Sequence, residues 1–144
     1  MKEILFRGKS SSENIWVYGS LILQGDYCCI LQKNESLHPM DQCYLDNEIG
    51  WIDGKATPVD PESVGQYIGI SDYNGNKIFE GDLLRLDDRL CEIYWNTACC
   101  TFDLKFLCYL EGRQPNTKHF CGVTPWEYHR YQVVDNIYDK SKQK

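Results

Sequence analysis

A chain of 144 residues that carries 21 acids against 15 bases has no surplus of positive charge. Modules that grip duplex nucleic acid neutralise phosphates with lysine and arginine, so a formal net charge of −6 argues against nucleic-acid binding. Long apolar runs are also missing, and no stretch approaches the ~20 residues that a membrane helix needs. At the start, in MKEILFRGK, Lys2 is followed by an acid and Arg7 cuts the apolar stretch short. A secretory signal needs ~7 or more apolar residues in a row. The expectation is a cytoplasmic protein without a membrane partner.

Metal-binding spacing is absent as well. The 8 cysteines stand at positions 28, 29, 43, 91, 99, 100, 108 and 121, and none forms CxxC. Structural zinc sites use such pairs twice over, whereas adjacent cysteines in a strand point to opposite faces. The nearest metal-like fragment is His119-Phe120-Cys121, with His129 further on. In a reducing compartment these thiols are expected to stay reduced, bind no metal and serve as small buried hydrophobes. No cofactor is expected either. A phosphate loop needs GxxxxGK followed by Ser or Thr, a dinucleotide site needs GxGxxG opening a helix, and neither occurs.

What the chain does have is turns and β formers. There are 10 Tyr and 4 Trp, an enrichment that suits pleated, half-buried surfaces. Lys2–Gly8, Ile15–Leu23 and Tyr27–Leu31 read as strands, the last two forming a hairpin across Gln24-Gly25-Asp26, with Gly19 marking a bulge. Residues 32–57 hold only short strand signals, near Cys43-Tyr44-Leu45 and Gly50-Trp51-Ile52. In PVDPESV, Asp60 is placed to cap a single helical turn opened by Pro61.

The densest punctuation is in GQYIGISDYNGNKIFEGDLLRL, from Gly65 to Leu86. Gln66–Ser71, with Tyr67 and Gly69 inside it, is expected to pair with Asn76–Glu80 across Asn74-Gly75. Gly65, Gly69, Gly75 and Gly81 then mark strand ends and turns. Asp72, Glu80 and Asp82 are the carboxylates beside them. Asp72-Tyr73-Asn74-Gly75 lacks the spaced oxygen ligands and distal Glu of an EF-hand. Leu83–Leu86 and Leu90–Trp95 continue the pattern. Cys99–Leu107 alternates, with Cys100, Phe102, Leu104 and Phe106 assigned to the buried face and Thr101, Asp103 and Lys105 to the wet one. Residues 111–128 form a long irregular excursion, Tyr131–Tyr138 is the last strand, and DKSKQK is a frayed tail. Short strands, tight turns and almost no helix argue for an all-β fold built on a small barrel.

Candidate chemistry is sparse. The three histidines, His38, His119 and His129, lie in no catalytic motif. Glu80 with Asp82, or Asp87 with Asp88, are paired carboxylates of the kind used as general acid and base, and turn capping explains them equally. The aromatic surplus of Trp16, Trp51, Trp95 and Trp126 either plugs the core or forms an interface, where aromatic anchors carry much of the binding energy.

Three segments carry a family likeness. KEILFRGK followed by WVYG, the block VDPESVGQYIGISDYNGNKIFEGDLLRL, and the closing VVDNIYD together resemble the YopX-like family of phage and prophage proteins. At the position of Asp135 that family often has Gly, a departure that suggests a turn-like backbone which Asp also adopts. The resemblance implies a largely β protein whose C-terminal part is an SH3-like barrel, able to self-associate. The expected division is an N-terminal β-hairpin lobe, residues 1–57, and a barrel-type part, residues 58–144, with one continuous domain as the alternative. It brings no catalytic residues. The expectation is a non-enzymatic accessory module that binds a phage or host protein and forms a homo-oligomer. The alternative is a small metal-dependent hydrolase or nuclease using the acids near Gly81.

Overall fold

The computed structural model describes residues 2–32, 56–110 and 130–142. Trp51, Trp126, Cys43, Cys121, all three histidines, the strand signals near residues 44 and 51 and the excursion at 111–128 lie outside the described residues. The chain divides into two compact units, residues 1–66 and 67–144. Each is antiparallel β.

In the first unit, β1 (Phe6–Lys9), β2 (Trp16–Gln24), β3 (Tyr27–Gln32) and β4 (Thr57–Pro58) form successive antiparallel neighbours. The β2–β3 hairpin closes where expected: Gln24 pairs with Tyr27 and Gly25 takes φ +59° in the two-residue turn. Two apolar clusters lie in this unit. Val17, Ile30 and Val59 form one, and Cys29 and Ala56 form the other. Adjacent residues Cys29 and Ile30 are thus both buried, which accounts for the unbroken apolar run YCCIL at the strand.

Gly19 is not at a bulge: its register with Phe6 on one side and Gln32 on the other is regular. A Cβ there would lie 1.9 Å from the carbonyl oxygen of Leu31, so glycine is required by close backbone approach. The first strand also starts later than the sequence suggests, because its pairing with β2 spans only residues 6–9, of which Phe6 and Arg7 also pair on the other side, with Gln66 and Gly65.

The second unit begins within β5 (Gly65–Ser71), whose first two residues pair with Arg7 and Phe6. Its remaining part pairs with β6 (Lys77–Phe79), as Tyr67 with Phe79 and Ser71 with Lys77. A register shift lies between those pairs, and Gly69 at φ +101° supplies it. The other strands are β7 (Asp82–Leu86), β8 (Arg89–Asn96), β9 (Thr101–Tyr109) and β10 (Tyr131–Asn136), in the spatial order β10-β7-β8-β9. Their common core is Ile78, Leu84, Leu86, Cys91, Ile93, Leu104 and Tyr131, with Ile68 and Ile70 of β5 packed on it.

The final residues correct the expectation of a longer strand and a frayed tail. Val134 is bulged out of β10, and Ile137–Lys142 form a short helix, α1. Asn136 caps it: its Oδ1 accepts the Asp139 amide at 2.8 Å, and its Nδ2 donates to the Asp139 carboxylate at 3.0 Å. Asn136-x-x-Asp139 is a reciprocal cap of the capping-box kind, a signal present in the sequence. Asp135 belongs to β10, paired with Leu83, and keeps a negative φ. No helix among the described residues is long and apolar enough to cross a membrane.

Two glycine substitutions separate space from backbone strain. Gly19→Ala forces β2 from β3 and should cost about 2–3 kcal/mol in urea unfolding. Gly25→Ala meets no atom within 4 Å and carries only the penalty of its positive φ, about 1 kcal/mol. Equal costs would contradict the close approach at Gly19.

Candidate functional site

The block around Asp60 is a scaffold. Asp60 caps a 3-10 turn over Pro61–Ser63, its Oδ1 accepting the Glu62 amide at 3.1 Å. Ser63 donates its hydroxyl to the Asp60 carbonyl at 2.6 Å and accepts the Lys9 amide at 2.7 Å, fixing the turn to β1. Gly65 and Gln66 follow directly as partners of β1. Tyr67 is buried in the second unit, tilted 46° to Phe79 at 5.8 Å, with the Lys77 ammonium 4.9 Å from its ring.

Asp72 is the centre of the β5–β6 turn, and it is only 3% exposed. Its Oδ1 accepts the amides of Asn74 and Asn76, each at 2.9 Å. Its Oδ2 accepts the Asn76 side-chain amide at 3.3 Å and, from β10, the Val133 amide at 2.9 Å. The Asp72 amide donates to the Asn76 carbonyl at 2.8 Å, closing a longer loop than a two-residue Asn-Gly turn. Of Asn74 and Gly75 only Gly75 has a positive φ, +85°. The hairpin stands where the sequence put it, but an aspartate organises it.

Asp82 is similarly committed. Gly81, at φ +92°, donates its amide to the Ile93 carbonyl and accepts the Ile137 amide, both at 2.8 Å. Asp82 is 1% exposed, and its Oδ2 accepts the Phe79 amide at 2.7 Å. That bond clamps the β6–β7 turn. Glu80 beside it is half-buried. A carboxylate spent on a backbone amide inside the core has no path to a substrate, so Asp82 is a poor general acid or base.

Among the described residues the expectation of buried cysteines holds for Cys29 and Cys91 only: Cys28 is half-buried, and Cys99, Cys100 and Cys108 are exposed, because Cys99 and Cys100 stand in a turn and Cys108 lies at the far end of β9. Burial, and then the negative charge of Asp60, push the Cys28 thiol up. Burial is the main effect at Cys91 too, raising its thiol despite Arg89. A raised thiol is a weak nucleophile and a weak metal ligand. Among the described residues no three His, Cys, Asp or Glu side chains cluster to hold a metal. A cavity of about 310 Å³ in the first unit, lined by Tyr27, Cys28, Cys29, Pro58 and Pro61 with Ser11 and Asp26, has few converging polar groups.

The aromatics divide. Trp16 is half-buried, with the Arg7 guanidinium 4.8 Å and the Lys9 ammonium 5.1 Å from its ring. Trp95 in β8 is 46% exposed and packs edge-to-face on its cross-strand partner Phe102, 5.0 Å away at 72°. Phe106, 38% exposed, stacks likewise on Tyr109 at 5.0 Å and 61°. Leu107 and Leu110 are also exposed. The alternation of β9 therefore does not end as expected: Phe106 is exposed, while Asp103, assigned to the wet face, is buried. The register is regular from Thr101 to Phe106, so Phe106 shares the face of Leu104 and is exposed near the end of the strand; a bulge follows, since Cys91 pairs with Phe106 and Leu90 with Cys108, leaving Leu107 extra. Asp103 is held by Asn96 Nδ2 at 3.2 Å and by the Leu104 amide at 2.9 Å. Cys100 lies in the preceding turn at φ 52°, outside the strand.

An all-β protein of two antiparallel units, with Asp60, Asp72 and Asp82 spent on backbone amides at its turns and Trp95, Phe106 and Leu107 exposed on β8 and β9, is the class these residues define. The chain belongs to the YopX family: the family described as YopX protein matches residues 5–143. No curated protein matches the chain.

Asp72→Ala should cost about 3 kcal/mol, seen as a fall in Tm of roughly 10 °C, because four donors lose one charged acceptor. A cost below about 1 kcal/mol would show that β10 is held without that carboxylate.

Asp87, at the β7–β8 turn with φ 56°, supplies a pH test. A hydrogen bond from Arg130 holds its carboxyl below the usual carboxylate range against the opposing effect of burial, and the charges of Arg130 and Arg89 add to the lowering. A lowered folded pKa means stability present above the unfolded value of about 3.9 and lost as pH falls through the folded pKa. Asp87→Asn keeps a residue that tolerates the turn, so it should cost less than about 1 kcal/mol at pH 7. The Tm gap between the two proteins should close below about pH 4. A gap that persists in acid would rule out the ion pair as its source.

Proposed function

We propose that this protein is a non-enzymatic binding module, a cytoplasmic accessory protein of a phage or prophage that engages a protein partner and assembles with itself. In this reading the second unit acts as an SH3-like barrel, with the β5–β6 hairpin and the four-stranded sheet sharing the core built on Ile78, Leu84 and Tyr131. The observation that carries it is the exposure of two aromatics, Trp95 and Phe106, on strands whose inner faces are otherwise packed, with half-buried Phe102 edge-to-face against Trp95. Rigid aromatic side chains bury large areas at low entropic cost and recur as anchors of interfaces. The placement of the acids favours the same reading. Asp72 and Asp82 fold turns, and the overall charge of −6 suits a protein partner better than a phosphate backbone.

Screening purified protein with Mg²⁺ and Mn²⁺ against nucleic acids and phosphoesters should give no cleavage above background. Metal-dependent cleavage that disappears in Glu80→Ala, with the fold intact by circular dichroism, would establish the hydrolase instead.

A further inference from the structure

Among the described residues, β9 is an edge of the four-stranded sheet, and the direction of its free edge follows from its neighbours. The Ile93 carbonyl accepts the Gly81 amide at 2.8 Å, so Ile93 turns its backbone groups toward the β7 side. Its β9 partner Leu104 therefore turns its own groups outward, because paired residues in an antiparallel ladder alternate between facing and averted. Side chains of β9 itself confirm the direction. The Leu104 amide donates to Asp103 Oδ1 at 2.9 Å, and the Phe102 carbonyl accepts the Thr101 hydroxyl at 3.2 Å. Phe102 and Leu104 thus present backbone donors and acceptors at the edge, and Phe106 follows by the same period.

The sequence along that edge is self-complementary. Phe102-Asp103-Leu104-Lys105-Phe106 reads the same in both directions except that an acid exchanges with a base. The geometry points to β9 as a self-pairing strand: two copies of this chain join antiparallel, edge to edge, about a twofold axis through Leu104. Leu104 then faces Leu104 of the second copy, Phe102 faces Phe106, and Asp103 faces Lys105. The outward positions 102, 104 and 106 become hydrogen-bonded pairs, and 103 with 105 falls in the closer, non-bonded pairs where opposite charges attract. The Leu104 amide passes from Asp103 Oδ1 to the carbonyl of the second Leu104. Asp103 keeps Asn96 on Oδ2 and turns Oδ1 toward the incoming lysine. Within each chain Glu92 pairs with Lys105 and Trp95 with Phe102. Both rows would therefore run on across the interface: Glu92, Lys105, then the second Asp103, and Trp95, Phe102, then the second Phe106. The isologous contact covers the exposed Phe106 ring and leaves no β9 edge for further strands.

This deepens the self-assembly part of the proposed function and rests on it. The test is sedimentation of the whole chain at tens of micromolar. Wild type should be a dimer or an even-numbered assembly. Lys105→Asp, at an exposed position, should weaken it at least about tenfold, since two symmetry-related pairs change from attraction to repulsion. Asp103→Lys alone should fail likewise, and an equimolar mixture of the two variants should regain the wild-type mass. Because Asp103→Lys risks misfolding, hydrogen exchange gives a second readout. Amides of Leu104 and Phe106 should gain protection with concentration in wild type and not in Lys105→Asp. An oligomer unchanged in mass and exchange by Lys105→Asp overturns the β9 register but leaves self-assembly standing. A monomeric wild type overturns the inference and the self-assembly with it. Cleavage activity, the failure mode of the binding-only reading, moves neither measurement.

Discussion

One buried carboxylate holds the second unit together. Asp72 stands 61 positions before Val133 in the chain, yet its Oδ2 accepts that residue's amide while Oδ1 closes the β5–β6 loop. An ionised acceptor bonded to several amides is stronger than neutral pairs and costly to leave unmatched once desolvated. The hairpin loop, the start of β10 and the burial of Tyr131 beneath it are therefore parts of one arrangement, and the Tyr73 amide reaching the Tyr131 carbonyl at 3.4 Å belongs to it. Asp82 repeats the device one turn later, clamping β6 to β7 through the Phe79 amide.

These commitments bear on function. A carboxylate that satisfies backbone amides inside a protein is poorly placed to move protons for a substrate, so Asp72 and Asp82 belong to architecture. Exposed large hydrophobics occur in both units, and three of them, Trp95, Phe106 and Leu107, lie on β8 and β9. Phe106, at the end of the regular register, and Leu107, the extra residue of the bulge, are both exposed to solvent. Under the proposed binding role, this exposed apolar surface is the place of contact.

Local chemistry was legible wherever the sequence spells a turn. Gly25, Gly75 and Gly81 all adopt the positive φ their positions suggested, and the Asp60-Pro61 cap is in place, because such preferences belong to the residue and its nearest neighbours. The all-β class was legible for the same reason, through period-two runs of β formers. The reciprocal cap at Asn136 was equally local and readable, but the apolar pattern of VVDNIY masked it as strand.

The sequence by itself determined strand identity, turn positions, family membership and the absence of familiar phosphate and metal motifs, all of which depend on residues close together in the chain. Only the tertiary structure decided that Gly19 faces the Leu31 carbonyl, that Asp72 reaches β10, that Asp103 is buried and that Phe106 is exposed. Each of those facts is a meeting of segments far apart in sequence or a shift of register, and a one-residue slip in a ladder exchanges the faces of everything beyond it. Periodicity names the two faces of a strand. Which of them meets water is settled by the neighbour it packs on.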